Sequence, residues 1–150
     1  MIRDDIKAAT ITAMKAKDSV RLGTLRLISS ALKNKDIELR TGVAPADDDV
    51  LVADVLSKMA KQRRESIDMF ITGNRPELAD AERAELGVIE GFMPTQMAAG
   101  EAQAAVRALV AELGATSVKD MGRVMAAVRE RFAGQLDMGS ASAMVKAALG

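Results

Sequence analysis

The densest chemistry in the chain lies in Lys58-Met59-Ala60-Lys61-Gln62-Arg63-Arg64-Glu65-Ser66, where four cations, an amide and a hydroxyl fall within nine residues. Such a set recognises anions. A guanidinium offers a planar fork that grips a phosphate or carboxylate through two parallel hydrogen bonds, and an ammonium adds a compact charge. A smaller set, Lys119-Asp120-Met121-Gly122-Arg123, brackets a glycine between two cations. The candidate contact residues are Lys58, Lys61, Gln62, Arg63, Arg64, Ser66, Lys119, Gly122 and Arg123.

Reaction chemistry is poorly served. The chain has no Cys, His, Tyr or Trp. That removes the usual thiol nucleophile, the commonest general base and the commonest metal ligands. No Ser sits in an activating motif. The acids Glu77, Asp80, Glu82, Glu85 and Glu90 offer no paired acid and base and read as a solvated face. Asp47-Asp48-Asp49 lacks the alternation of a calcium loop and suits a helix N-terminus instead. The expectation is no catalytic residue, no metal and no cofactor. Three Phe are the only aromatics, too few for a base-stacking platform.

Every periodic segment reads as helix, so the predicted class is all-α. Ile2, Ile6, Ala9 and Ala13, with Met14 beside them, mark a first helix. Asp18 is a candidate N-cap for a second, whose Leu22, Leu25, Ile28, Leu32 and Leu39 share a side and which stops near Gly42. A third begins at the three aspartates and carries Val52, Val55, Leu56, Met59, Ile67, Phe70 and Ile71 as far as Gly73. The second and third are long and closely connected, which predicts antiparallel pairing. Pro76 opens a fourth helix towards Gly91, with Gly87 weakening its last turns.

The segment 91–100 reads as a hinge, dividing the chain into 1–93 and 94–150. Three shorter helices follow. Val106, Leu109, Val110 and Leu113 end at Gly114. Met121, Val124, Met125, Val128 and Phe132 end at Gly134. Met144, Val145, Ala148 and Leu149 close the chain. Ser117 and Asp120 form a capping box before the middle one. Met14, Met59, Met121, Met125 and Met144 all fall on core stripes.

The helical period exposes two irregularities. Arg63 and Ser66 fall on the packing face of the third helix, about 40° and 20° from Met59. Arg63 is then either a snorkelling side chain held by a neighbouring acid or part of a polar recognition surface. Gly122 within a helix costs roughly 1 kcal/mol against alanine. Close helix–helix approach or access for a partner would each account for it.

Net charge is zero, with 21 basic and 21 acidic residues. The distribution is uneven: residues 1–40 hold nine cations and five acids, and residues 41–100 hold six and eleven. A local basic surface is available without a strongly basic whole. The first residues do not form a secretory signal, and no apolar run is long enough to cross a membrane, so a cytoplasmic location is expected.

Lys58-x-x-Lys61-Gln62-Arg63-x-Glu65-Ser66-Ile67, Phe70-x-x-Gly73-x-Arg75-x-Glu77-Leu78-Ala79, Glu82-x-x-Glu85-Leu86-x-Val88-Ile89, Met93-Pro94-x-Gln96 and Asp120-Met121-Gly122-Arg123-Val124-Met125, with Arg26-Leu27-Ile28 and Lys33-x-Lys35, resemble the YqeY-like branch of the GatB/YqeY family. The resemblance covers nearly the whole chain. It implies an all-helical protein with a larger N-terminal helical bundle and a three-helix tail. In the GatB subunit of the glutamine-dependent tRNA amidotransferase, the similar region is a C-terminal appendage that helps to hold tRNA. The carbon–nitrogen ligase chemistry, with glutamine as amido donor, belongs to other domains and another subunit. The implied partners are structured RNA, tRNA in particular, and an amidotransferase or other translation-related protein. The sequence departs from the family at Gln135 and Leu136, where relatives carry a basic and a small residue.

Overall fold

A computed structural model describes all 150 residues. The chain is all-helical, with no strand. Its helices are α1 (Ile2–Lys15), α2 (Ser19–Glu38), α3 (Asp48–Thr72), α4 (Pro76–Glu90), α5 (Ala99–Glu112), α6 (Met121–Arg131) and α7 (Met138–Leu149), with a 3-10 turn at Val118–Asp120 before α6. Two compact units result, Met1–Met93 and Pro94–Gly150.

In the first unit, Asp18 caps α2 by accepting from the Arg21 amide at 3.2 Å. The helix ends at Glu38 with Leu39 as its C-cap. It therefore stops short of Gly42, which lies in the following bend and not at the helix terminus. Asp47 caps α3 through the Asp49 amide at 2.9 Å. The other two aspartates reach further than a dipole argument requires. Asp49 accepts from the Ile2 amide at 2.9 Å, and Asp48 takes both Nε and Nη2 of Arg3 at 2.9 Å. The same guanidinium holds Asp36 at 3.0 Å. One side chain of α1 thus ties the end of α2 to the start of α3.

Apolar packing joins the four helices around Ile6, Leu25, Ile28, Val52, Leu56, Met59 and Ile89, all buried. The α3 residues in this core run from Leu51 to Ala60, and those of α4 lie at its far end. Helix α3 packs most extensively on α4, and α2 on α1, although α2 and α3 also touch. Beyond Ala60, Ile67 and Ala79 are still buried, but outside that common core. Of the stripe residues there, Ile67 is buried and Phe70 half-buried, and Ile71 is 51% exposed; Met69, off the stripe, is 73% exposed. Met14 is likewise on the surface at 54%, not on a core stripe. Gly73 ends α3, and Asn74 takes the left-handed conformation at φ 56°, which asparagine tolerates better than most residues. Helix α4 runs unbroken through Gly87.

The second unit has its own core of Val106, Leu109, Val124, Val128, Leu136, Ala141 and Val145. Gly114 and Gly134 follow α5 and α6 at φ 64° and 75°, where an L side chain would be strained. Asp120 accepts from the Thr116 and Ser117 amides at 3.0 and 3.4 Å. The capping pair thus opens the 3-10 turn, and α6 begins one residue later. The Gln96 amide nitrogen donates to the Gly134 carbonyl. The Met97 amide donates to the Gln135 carbonyl at 3.1 Å, which pins the turn after α6 to the start of the unit. Leu136 is part of the core.

Candidate nucleic-acid interface

The α3 motif divides between inside and outside. Arg63 Nε donates to Glu85 at 2.6 Å and lies 3.4 Å from Glu82. Its side chain is only 18% exposed. Arg64 pairs with Glu90 at 2.9 Å, and Lys58 with Asp54 of its own helix at 3.1 Å. Glu82 and Glu85 are therefore not on a solvated face but form the acidic side of the α3–α4 seam, whereas Glu90, though paired, is exposed, as Glu77 and Asp80 are. One Glu82 oxygen is buried and accepts no hydrogen bond, so its compensation comes from the nearby guanidinium. Ser66 is half-buried, and Lys61 and Gln62 face solvent. Of the four α3 cations, only Lys61 is left without a carboxylate partner.

The tail candidates belong to the other unit. Arg123 donates to the Leu113 carbonyl at 2.8 Å and to Asp120 at 3.2 Å. The Thr116 amide and Arg123 together hold the Asp120 carboxyl below its ordinary value. Lys119 is exposed and unpaired. Gly122 is exposed, and a Cβ built there meets nothing within 4 Å. That corrects the close-packing reading: no helix approaches it.

Other cations also remain free: Arg107, Arg129 and Lys146 in the second unit, and a larger group in the first. Lys15, Lys17, Arg26, Lys33 and Arg40 are exposed and pair with no carboxylate. Three of the five acids in residues 1–40 are occupied: Asp18 caps α2, Asp36 is held by Arg3, and Glu38 pairs with Lys35 at 3.4 Å, while Asp4 and Asp5 at the start of α1 are exposed and unpaired. The excess of positive charge in residues 1–40 was the available signal. The α3 motif is the poorer guide, because a linear motif does not show which cations the neighbouring helix neutralises. Arg21 differs from the free set, since its guanidinium lies 5.9 Å from the Phe92 ring centroid, within cation–π range.

No cluster of three potential metal ligands is present, and no helix is long and apolar enough to cross a membrane. The family model described as Yqey-like protein matches residues 3–149. Curated relatives carry the name "Altered inheritance of mitochondria protein 41, mitochondrial". That of Eremothecium gossypii is 36% identical over 71% of this chain and 55% of its own length. That of Lachancea thermotolerans is 33% identical over 75% and 57%, and that of Saccharomyces cerevisiae strain YJM789 is 33% identical over 62% and 46%. The chain spans about half the length of these relatives. With the match running almost from end to end, the chain belongs to the YqeY-like family.

Proposed function

We propose that this chain is an accessory module that holds structured RNA, in the first instance tRNA, for an amide-transferring enzyme made of other polypeptides. The observation that carries the reading is the set of free cations on and beside α1 and α2, Lys15, Lys17, Arg26, Lys33 and Arg40, in a chain of zero net charge. Structured RNA is recognised through phosphates and 2′-hydroxyls, which need cations and hydroxyls and few aromatics. Lys61 and Gln62 on α3, and Lys119 and Gly122 on the tail, are further contact candidates. Arg63 contributes mainly to the bundle, and Arg64 is exposed but paired with Glu90. The carbon–nitrogen ligase chemistry that the resemblance implies belongs, in this reading, to the partner enzyme, because this chain lacks Cys and His. Placement in the cytoplasm and a role in translation are part of the same proposal.

Titration with total tRNA in a gel-shift assay tests it. The expected outcome is binding that weakens steeply as salt rises. No binding at high protein concentration, or binding indifferent to salt, sinks it. A second reading, docking on a translation-related protein, draws support from the exposed Met69, Ile71 and Leu78 at the outer part of the α3–α4 hairpin. Its test is a pull-down with and without nuclease, comparing the native chain with a Met69→Ser/Ile71→Ser variant. A partner that survives nuclease and is lost in the variant supports docking.

A further inference from the structure

Helix α2 has an exposed stripe formed by Ser19, Gly23, Arg26, Ser30, Lys33 and Ile37. Steps of four, three, four, three and four residues keep them within about 80° of arc. Arg26 and Lys33 are unpaired cations about 10 Å apart along the axis. Arg40 follows just past the helix end, exposed and also unpaired. No acid lies on the stripe. The Ser30 hydroxyl makes no bond within the chain, whereas neighbouring Ser29 bonds back to the Leu25 carbonyl at 3.0 Å.

Gly23 is the unexpected member. It sits inside a 20-residue helix, where glycine is the least favourable residue after proline. Nothing within the chain requires it: its φ is not positive, and a Cβ there would meet nothing within 4 Å. Its effect is to leave the α2 backbone bare between Ser19 and Arg26, on the side where the free cations project. Of the exposed apolar residues of this helix, Val20 and Leu27 lie about 80° or more from the stripe's centre. Only Ile37 lies on it, at its far end. A protein-binding face needs large apolar or aromatic anchors at its centre. Here the centre is Gly23, Arg26, Ser30 and Lys33.

We infer that this stripe is the line of contact with an RNA sugar–phosphate backbone: Arg26 and Lys33 take phosphates, Ser30 donates to a phosphate or 2′-hydroxyl, and Gly23 lets the strand lie against the helix. This rests on the RNA reading above and moves its centre from the α3 motif to α2. The test is a tRNA titration by fluorescence anisotropy at several salt concentrations, with circular dichroism melting on every variant. Arg26→Gln/Lys33→Gln is expected to weaken binding about tenfold or more at low salt and to lower the salt slope by nearly two. Gly23→Gln adds bulk without charge; it should weaken binding while leaving the melting temperature unchanged or higher. Lys58→Gln/Lys61→Gln should change affinity less than the α2 pair.

Native binding with full retention in both α2 variants overturns this inference and leaves the RNA reading standing. Absence of tRNA binding by the native chain sinks the RNA reading, and the inference with it. Tighter binding of an acidic amphipathic peptide than of tRNA, lost in Val20→Ser/Leu27→Ser and kept in Gly23→Gln, overturns it in favour of a protein partner.

Discussion

At the scale of single residues, both arginines of the α3 motif are held by α4 carboxylates, Arg63 within the seam and Arg64 at the surface. Removing Arg63 would leave Glu82 and Glu85 facing each other in a half-buried seam, one oxygen already without a hydrogen bond. Losing one partner of such a cluster costs more than the intact cluster contributes. Arg63→Ala is expected to lower stability by about 2 kcal/mol, less than for a fully buried pair, measured by urea unfolding. Unchanged unfolding combined with lost RNA binding would make Arg63 a surface contact after all. Its position on the packing face was legible from the 3.6-residue period. Its partners were not, because the facing of α4 on α3 is a tertiary fact. Arg3 gives a pH prediction. Its guanidinium, chiefly by hydrogen bonding, holds the Asp48 carboxyl below the usual range. A carboxyl depressed in the folded state contributes stability above its unfolded value, near pH 4, and loses it as pH falls through the folded value. Arg3→Gln should therefore flatten the acid side of the stability profile below about pH 4. At neutral pH the loss should be small, since both partners are partly exposed. Thermal melting from pH 2.5 to 7 measures both; parallel profiles for the two proteins would refute the assignment.

At the scale of elements, helix ends were read well where a side chain or a glycine makes the stop, and poorly where geometry alone does. Asp18, Asp47, Pro76 and Gly114 sit at their expected boundaries, and Gly134 lies in the turn just past the end of α6 at Arg131. Gly42 does not, because α2 closes with bonds from the Leu39 and Arg40 amides to carbonyls of the last turn. The α1–α2 connection holds the opposite case. Lys17 is left-handed at φ 55°, a conformation that costs an L residue roughly 1–2 kcal/mol. The Asp18 amide donates to the Ala13 carbonyl at 3.0 Å across it, the closure that normally employs glycine. Lys17→Gly should therefore stabilise the chain by about 1 kcal/mol, seen as a higher urea midpoint. A concurrent loss of tRNA affinity would mean that the strained position is kept for its charge. Lower stability would mean that the Lys17 side chain packs more than its exposure suggests.

At the scale of the whole molecule, the two units share no core residue: Ile89 and its partners close the first, and Val106 with Val145 anchors the second. A core holds together only what packs into it, so each unit should respond to its own cavities. The tail is the smaller, with about sixty residues, a size at which folding buries only some 60% of the unfolded chain's surface and stability is marginal. Leu109 is fully buried there, and Leu→Ala in a packed core costs 2–5 kcal/mol, according to how far the site can collapse. Leu109→Ala is thus expected to remove most of the tail's stability, about 3 kcal/mol, without touching the contacts of Leu25, Ile28 and Leu56. Hydrogen exchange read by mass spectrometry resolves the two. Amides of α5, α6 and α7 should lose protection by two orders of magnitude or so, while those of α2 and the first half of α3 keep theirs. Equal loss in both units would show that they fold as one. If tRNA affinity survives the same substitution with its salt slope intact, the contact lies on the first unit, as proposed for α2; loss of affinity in step with tail protection would assign it to the tail, where Lys119, Arg107, Arg129 and Lys146 are free.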